Sequence, residues 1–138
     1  MNLDAAPNVE QAVPSFVVSN MDASVRFYET LGFVMTNKWI HEGELRWCWL
    51  AHGKAGVMLQ GSRKTTEEWA SRGKAGTGVT VCFICHDALA LYHAFIEHGI
   101  SAARPFVSNG MWMTSLADPD GYRLEFESQT DVPEGTEL

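Results

Sequence analysis

One acidic side chain stands out in the late stretch SLADPDGYRLEFES, residues 115–128. Glu125 follows the tight-turn sequence DPDG and lies among strand-forming residues, so strand alternation places it on one face with Arg123 and Glu127. A carboxylate that is partly removed from water can act as a general base, or as the counter-ion of a bound amine. Glu125 is therefore the candidate catalytic residue. A glutamate paired with an arginine or with water at the rim is the alternative.

The chain contains five tryptophans among its 138 residues, and tryptophan rings can bind cations through their faces. Trp47 and Trp49 are two residues apart and so share a strand face, and Trp39 ends the preceding predicted strand. Phe106 and Trp112 lie shortly before the DPDG turn. Because small-molecule pockets are mostly apolar, these five aromatic residues are candidate ligand-binding residues. Burial in the core or in a dimer interface is the alternative for the same set.

The three cysteines and five histidines do not form a recognisable metal or redox motif. Cys82 and Cys85 have CxxC spacing, but positions three apart on a strand face opposite sides, which argues against a zinc or redox site. An odd and small number of cysteines also argues against a disulfide framework. A site built from His41 with Glu42 or Glu44 stays open as an alternative to a solvated loop.

Composition excludes several classes of function. The formal net charge of −7 disfavours nucleic acid as a partner, because phosphate binding needs a basic surface. No apolar run reaches the roughly 18 residues of a membrane span, and the first ten residues lack the basic and apolar regions of an export signal. A cytoplasmic protein is therefore expected. The length suits a single domain with its own core.

An internal repeat organises the chain. Residues 16–33 align without a gap with residues 83–100, at an offset of 67. Asn20 and Asp87 can cap the start of a helix, and Gly32 and Gly99 can adopt the left-handed conformation that ends one. Each copy is predicted to be a βαβββ module, because three strand-like runs follow each helix. The predicted runs are residues 33–41, 45–51 and 57–60, and then 102–106, 111–116 and 122–127.

These elements predict the following division of one domain that spans residues 1–138. Module one covers about residues 13–61, and a linker with a short helix covers residues 62–78. Module two covers about residues 79–128. The acidic tail, residues 129–138, has no apolar periodicity and is predicted to be loose.

Two tandem βαβββ modules, with VSNMDASVRFYETLGF early and DPDGYRLEFES late, resemble the vicinal oxygen chelate superfamily. This group includes glyoxalase I, extradiol dioxygenases, fosfomycin-resistance enzymes and bleomycin-binding proteins. The resemblance covers roughly residues 13–128. It implies an α+β fold in which the modules form a glyoxalase-like half-barrel funnel, often completed across a homodimer with swapped halves.

Metal-dependent members of that superfamily place ligands at four positions, which the resemblance maps onto Val13, Leu59, Thr80 and Glu125. A register slip of one residue would replace Leu59 by Gln60. Valine and leucine have no lone pair to offer, and divalent transition metals need three or four imidazole, thiolate or carboxylate ligands. The residue types at these positions therefore favour no cofactor. A divalent metal stays open as an alternative but is disfavoured.

The resemblance implies a small-molecule-binding protein of the glyoxalase and bleomycin-resistance kind, metal-free, with an acidic, tryptophan-rich funnel for an aromatic or cationic compound. The segment before DPDG, residues 110–114, carries large apolar residues where bleomycin-binding relatives carry charged ones, which argues against bleomycin itself. Two alternatives stay open: a metal-dependent lyase, isomerase or dioxygenase, and a non-catalytic module with a filled funnel. The expected partners are a small molecule and a second copy of the chain. The predicted ligand-binding residues are Trp39, Trp47, Trp49, Leu59, Thr80, Phe106, Trp112 and Glu125.

Overall fold

The first module of the computed structural model is a sheet of four strands with one helix. The structure describes residues 8–61, 69 and 73–138. The elements of the first module are β1 (Ser15–Val18), α1 (Met21–Thr30), β2 (Val34–His41), β3 (Glu44–His52) and β4 (Ala55–Gly61).

The second module repeats this plan. Its elements are β5 (Thr80–Ile84), α2 (Ala88–Glu97), β6 (Phe106–Ser108), β7 (Met111–Ala117) and β8 (Arg123–Gln129). The strand orders are β1-β4-β3-β2 in the first sheet and β5-β8-β7-β6 in the second, and the β1–β4 and β5–β8 pairs are parallel. The predicted α+β fold of two tandem βαβββ modules is confirmed, and the two sheets do not close into a barrel.

The helices begin and end where the repeat predicts. The side chain of Asn20 accepts a hydrogen bond from the amide of Ala23, and that of Asp87 accepts one from Ala90, each at 3.0 Å. These bonds satisfy amides that have no partner within the helix. Gly32 follows α1 at a φ of 100°, a conformation that glycine adopts without a steric penalty. No helix in the described part of the chain is long and apolar enough to cross a membrane.

The inner faces of the two sheets share one hydrophobic core. Alternate residues of the strands point into it from both modules, together with residues of α1 and α2. The largest of its fully buried side chains are Tyr28, Phe95, Leu50, Leu59 and Leu124. Since both inner faces point into this core, each sheet has an outer face that points away from it.

The DPDG turn joins the modules through its first aspartate. Asp118 accepts a hydrogen bond from the hydroxyl of Tyr28 on α1 at 2.9 Å. Its second carboxylate oxygen accepts bonds from the amides of Asp120 and Tyr122, also at 2.9 Å. The motif is therefore both a turn and a contact between modules.

The rest of this turn contacts β1. The ring of Tyr122 stacks on Phe16 with centroids 4.3 Å apart, and its hydroxyl donates to the carbonyl of Val17 at 2.8 Å. Asp120 accepts hydrogen bonds from the amide and the hydroxyl of Ser19, at 3.1 and 2.5 Å. These contacts fix the turn before β8 against β1.

The predicted strand over residues 102–106 is wrong, because the strand in this region is β6, Phe106–Ser108. Pro105 has no amide hydrogen for a strand ladder. The preceding segment still lies beside β7, since the amide of Ala103 donates to Ser115 and the hydroxyl of Thr114 donates to the carbonyl of Ala103.

The predicted loose tail is also wrong, because the C-terminal residues run along the free edge of β6. The Val107 amide donates to Thr136 and its carbonyl accepts from Gly135, while Leu138 donates to Pro105. An edge strand offers unpaired backbone groups, which explains why an acidic segment without apolar periodicity is held. The short helix predicted in the linker lies outside the described residues, apart from residue 69.

Candidate functional site

The strand register changes one of the four family positions. Ser15 pairs with Met58 in the first sheet, and Cys82 pairs with Glu125 in the second. Ser15 and Cys82 correspond at the offset of 67, so the counterpart of Glu125 is Met58. Leu59 is instead fully buried in the core, which corrects its assignment as a ligand-binding and family-position residue.

The change from Leu59 to Met58 is caused by a difference in hairpin length. Trp49 pairs with Met58, whereas the equivalent pair in the second sheet is Ser115 with Glu125. The first hairpin is therefore one residue shorter than the second. A gap-free alignment of the two hairpins consequently shifts every residue of β4 to the opposite face.

The residues at the four family positions do not fit a transition metal. Val13 offers no donor, Met58 a weak thioether, Thr80 a hydroxyl and Glu125 the one carboxylate. Val13 and Thr80 line an open groove of about 580 Å³ between the segment before β1, the β3–β4 hairpin and β5. No chemical step at these four positions is therefore assigned to a metal.

The outer face of the first sheet carries the three tryptophans of β2 and β3. Trp39 pairs directly with Trp47, so the two side chains share this face. Trp39 is half exposed and stacks on His41 with ring centroids 5.4 Å apart. The indole of Trp49 lies over Gly56, where an added Cβ would come within 2.8 Å of the ring. The structure thus brings Trp39, Trp47 and Trp49 together on one aromatic surface.

The outer face of the second sheet carries an acidic cluster with a thiol. The ligand atoms of Cys82, Glu125 and Glu127 all lie within 4.8 Å of one another. Burial raises the pKa of the Cys82 thiol to about 12, helped by its hydrogen bond to Glu127 and by the negative charge of both carboxylates. Within the part of the chain that the structure describes, neither glutamate forms an ion pair.

Three further candidate residues lie on or near the second sheet. Phe106 pairs with Met113, which in turn pairs with Glu127, so Phe106 shares the outer face with the acidic cluster. Thr80 is exposed on the same face and precedes Cys82 by two residues. Trp112 pairs with the buried Ser128 and therefore points to the inner face, away from Glu125.

The tryptophan surface and the acidic cluster lie on different sheets of the chain. Each lies on the outer face of its own sheet, and both outer faces point away from the shared core. The predicted funnel residues are therefore divided between two surfaces. The groove of about 580 Å³ runs between these surfaces, since Gly56, which packs under Trp49, and Cys82 both line it.

Sequence reasoning missed Met58, and it did not include Cys82 and Glu127 among the candidate site residues. Strand alternation places Glu127 and Cys82 beside Glu125, whereas the CxxC spacing points to the wrong pair of thiols. Cys85 lies beyond the strand, where its thiol donates to the carbonyl of Glu127 at 3.4 Å.

The histidine alternative does not assemble into a site. His41 lies 3.7 Å from Glu42 in an exposed pair. Glu44 contacts Arg46 instead, at 3.1 Å. These contacts are those of a solvated hairpin.

Comparisons with known proteins agree with this fold. The family model described as Glyoxalase/Bleomycin resistance protein/Dioxygenase superfamily matches residues 10–126. Curated protein sequences give no match.

Solved structures share the fold at low sequence identity. A bleomycin resistance determinant encoded on the transposon Tn5 is 21% identical, with a TM-score of 0.68 over 90% of this chain and 100% of that one. The antibiotic-binding protein TnmS3 from Streptomyces sp. CB03234 is 18% identical, with a TM-score of 0.69 over 91% and 100%. A lactoylglutathione lyase from Agrobacterium tumefaciens is 18% identical, with a TM-score of 0.64 over 89% and 96%. The two βαβββ modules and the match of the family model over most of the sequence show that the chain belongs to the glyoxalase, bleomycin resistance protein and dioxygenase superfamily, that is, to the vicinal oxygen chelate superfamily.

Proposed function

We propose that this protein binds a small aromatic cation between two copies of the chain. The first sheet of one protomer supplies the tryptophan surface, and the second sheet of its partner supplies the acidic cluster. The observation that carries the proposal is the placement of two chemically complementary sets on the outer faces of different sheets.

The chemistry of the two surfaces is complementary for such a ligand. A planar cation can stack on the indole faces of Trp39 and Trp47, where the negative ring face attracts positive charge. Glu125 and Glu127 supply compensating negative charge without a competing ion pair in the described chain. Apolar walls with a few charged anchors are typical of small-molecule sites.

Exposed apolar residues near both outer faces support a second copy as the partner. Val17 is 36% exposed and Ile84 is 70% exposed on the two edge strands β1 and β5, and Trp39 is 51% exposed. Exposed apolar patches mark interaction surfaces. A two-fold symmetric dimer would bury them and create two equivalent sites.

Relatives support small-molecule binding in this fold. One solved structure, 21% identical to this chain, is a bleomycin-binding protein complexed with bleomycin, and TnmS3 is an antibiotic-binding protein. The donors at the four family positions do not favour a metal-dependent lyase, isomerase or dioxygenase. We therefore propose binding and sequestration rather than metal-assisted catalysis.

The test uses proflavine, a planar aromatic cation, with naphthalene-1-sulfonate as an anionic aromatic control. Proflavine should quench tryptophan fluorescence and raise the melting temperature, while the sulfonate should do neither. Trp47→Ala and Glu125→Gln should each abolish the shift. Equal responses to both probes, or no response to proflavine, would contradict the proposal.

A mixing experiment tests the shared site. Chains with Trp47→Ala and chains with Glu125→Gln, each inactive alone, should regain binding at one of the two sites of every mixed dimer. The mixed dimer contains one intact site and one site that lacks both residues. Mixed dimers that form without regaining binding, or a protein that binds proflavine as a monomer, would contradict it.

A further inference from the structure

We propose that Cys82, Glu125 and Glu127 form a binding site for a divalent transition-metal ion of the zinc type, a set that contains only one of the four family positions, Glu125. The site goes beyond the binding function proposed above. It shares Glu125 and Glu127 with that function but does not depend on it.

The pairing of β5 with β8 builds the set. Cys82 and Glu125 are direct partners in the parallel ladder, and Glu127 is the next residue on the same face of β8. The three ligand atoms lie within 4.8 Å of one another. Zinc binds thiolate sulfur at about 2.3 Å and carboxylate oxygen at about 2.0–2.2 Å, so small rotations of the glutamate side chains bring all three atoms to one ion.

The mixture of donors distinguishes this set from an ordinary acidic surface. Two carboxylates alone are compatible with water as their only partner. A thiol between them adds a soft ligand, and thiolate with carboxylate is a donor set that suits zinc-type ions rather than magnesium or calcium. In the described chain, no basic side chain pairs with either carboxylate, so both are free to bind a cation.

The β5 member of the set differs from the family pattern. Cys82 lies two residues beyond the family position Thr80, while its partner Glu125 on β8 is itself a family position. The family position on β5 offers only a hydroxyl, while the shifted position offers a thiol. Cys85 stays outside the set, since its thiol donates to a backbone carbonyl.

The site has access to solvent. Cys82 lines the open groove of about 580 Å³ together with Val13 and Thr80. An ion held by three protein ligands would therefore keep a fourth position open toward this groove. Three protein ligands with one open position are the pattern of exchangeable zinc sites rather than of closed structural ones.

The test is a cadmium titration of the full chain, reduced and freed of metal beforehand, with cadmium as the probe for zinc-type ions. Cadmium should produce the ultraviolet thiolate-to-metal charge-transfer band with one equivalent per chain. Cys82→Ser should abolish the band, and Glu127→Gln should weaken affinity by roughly 10- to 100-fold or more. Cys85→Ser is the matched control and should keep the band.

Thermal unfolding without metal shows whether each variant folds, and the cadmium-dependent rise in melting temperature gives a second measurement. A band that survives Cys82→Ser, or that Cys85→Ser removes equally, would overturn the metal site. A folded wild-type chain that gives no band and no rise in melting temperature would overturn it as well. Trp47→Ala should keep the cadmium band and lose proflavine binding, so that failure of one proposal is distinguishable from failure of the other.

Discussion

The hydroxyl of Tyr28 in the first module donates a 2.9 Å hydrogen bond to the carboxylate of Asp118 in the second. Tyr28 is fully buried and Asp118 is 4% exposed. Burial raises the pKa of both groups, and the neighbouring Asp118 charge raises the pKa of Tyr28 further. The contact between the modules therefore contains a buried carboxyl group with no basic partner among the described residues.

Replacing Asp118 tests what this group does for stability. Asp118→Ala leaves the Tyr28 hydroxyl and the amides of Asp120 and Tyr122 without partners, and we expect a loss of about 2–4 kcal/mol in the free energy of unfolding. Asp118→Asn keeps an acceptor for the two amides and removes the buried charge, so its loss should stay within about 1 kcal/mol. Urea denaturation of the three proteins measures both differences. Equal losses in the two variants would contradict the assigned role.

The raised pKa of Asp118 predicts how the free energy of unfolding changes with pH. A carboxyl whose folded pKa lies above its unfolded value of 3.8 binds protons more tightly in the folded state. Its stabilising contribution is present below 3.8 and is lost as the pH rises through the folded value. The free energy of unfolding of the wild type, relative to Asp118→Asn, should therefore fall as the pH rises from about 3.8 to neutrality. A relative stability that rises over this range would contradict the prediction.

Local chemistry explains the parts of the fold that the sequence predicts well. Asn20 and Asp87 cap their helices through contacts three residues away, and Gly32 and Gly99 end them. The repeat then doubles each local signal, which makes the βαβββ modules visible without a structure.

The errors involve contacts between distant residues or differences of one residue. The gap-free alignment places Leu59 on the funnel because it hides a difference in hairpin length, and one residue is enough to exchange the two faces of a strand. The tail has no apolar pattern that would predict its docking, because backbone hydrogen bonds to β6 hold it rather than apolar packing. Alternation places Glu125 on an outer face, but the sequence does not say how this face lies relative to Trp47 and Trp49 on the other sheet.

The packing of Trp49 on Gly56 predicts the effect of one methyl group. Gly56→Ala would place a Cβ 2.8 Å from the indole, so the ring has to move. We expect a loss of about 1–3 kcal/mol in the free energy of unfolding and a changed fluorescence spectrum. Gly56→Ala in a Trp49→Ala background is the control, and there it should lower the free energy of unfolding much less. An equal cost in both backgrounds would show that the contact does not matter.

Removing residues 131–138 should destabilise the second module. The deletion exposes the backbone of β6 and breaks the bonds of Val107 with Gly135 and Thr136. We expect a lower melting temperature, by several degrees for about 1–2 kcal/mol, and a tendency to aggregate through the free edge. Hydrogen exchange gives a direct control, since the Val107 amide should be protected in the full chain and exchange rapidly in the truncated one. An unprotected Val107 amide in the full chain would contradict the docked tail.

The pKa of about 12 for Cys82 predicts slow alkylation in spite of its exposure. The thiolate is the reactive form, and the carboxylates of Glu125 and Glu127 disfavour it. Glu127→Gln removes a negative charge beside the sulfur and should speed reaction with iodoacetamide near pH 8, by about tenfold for each unit by which the pKa falls. Cys48→Ser and Cys85→Ser together in the background leave Cys82 as the single thiol. A rate that is unchanged by Glu127→Gln would show that the thiol and this carboxylate do not interact, and would remove the electrostatic basis of the acidic cluster.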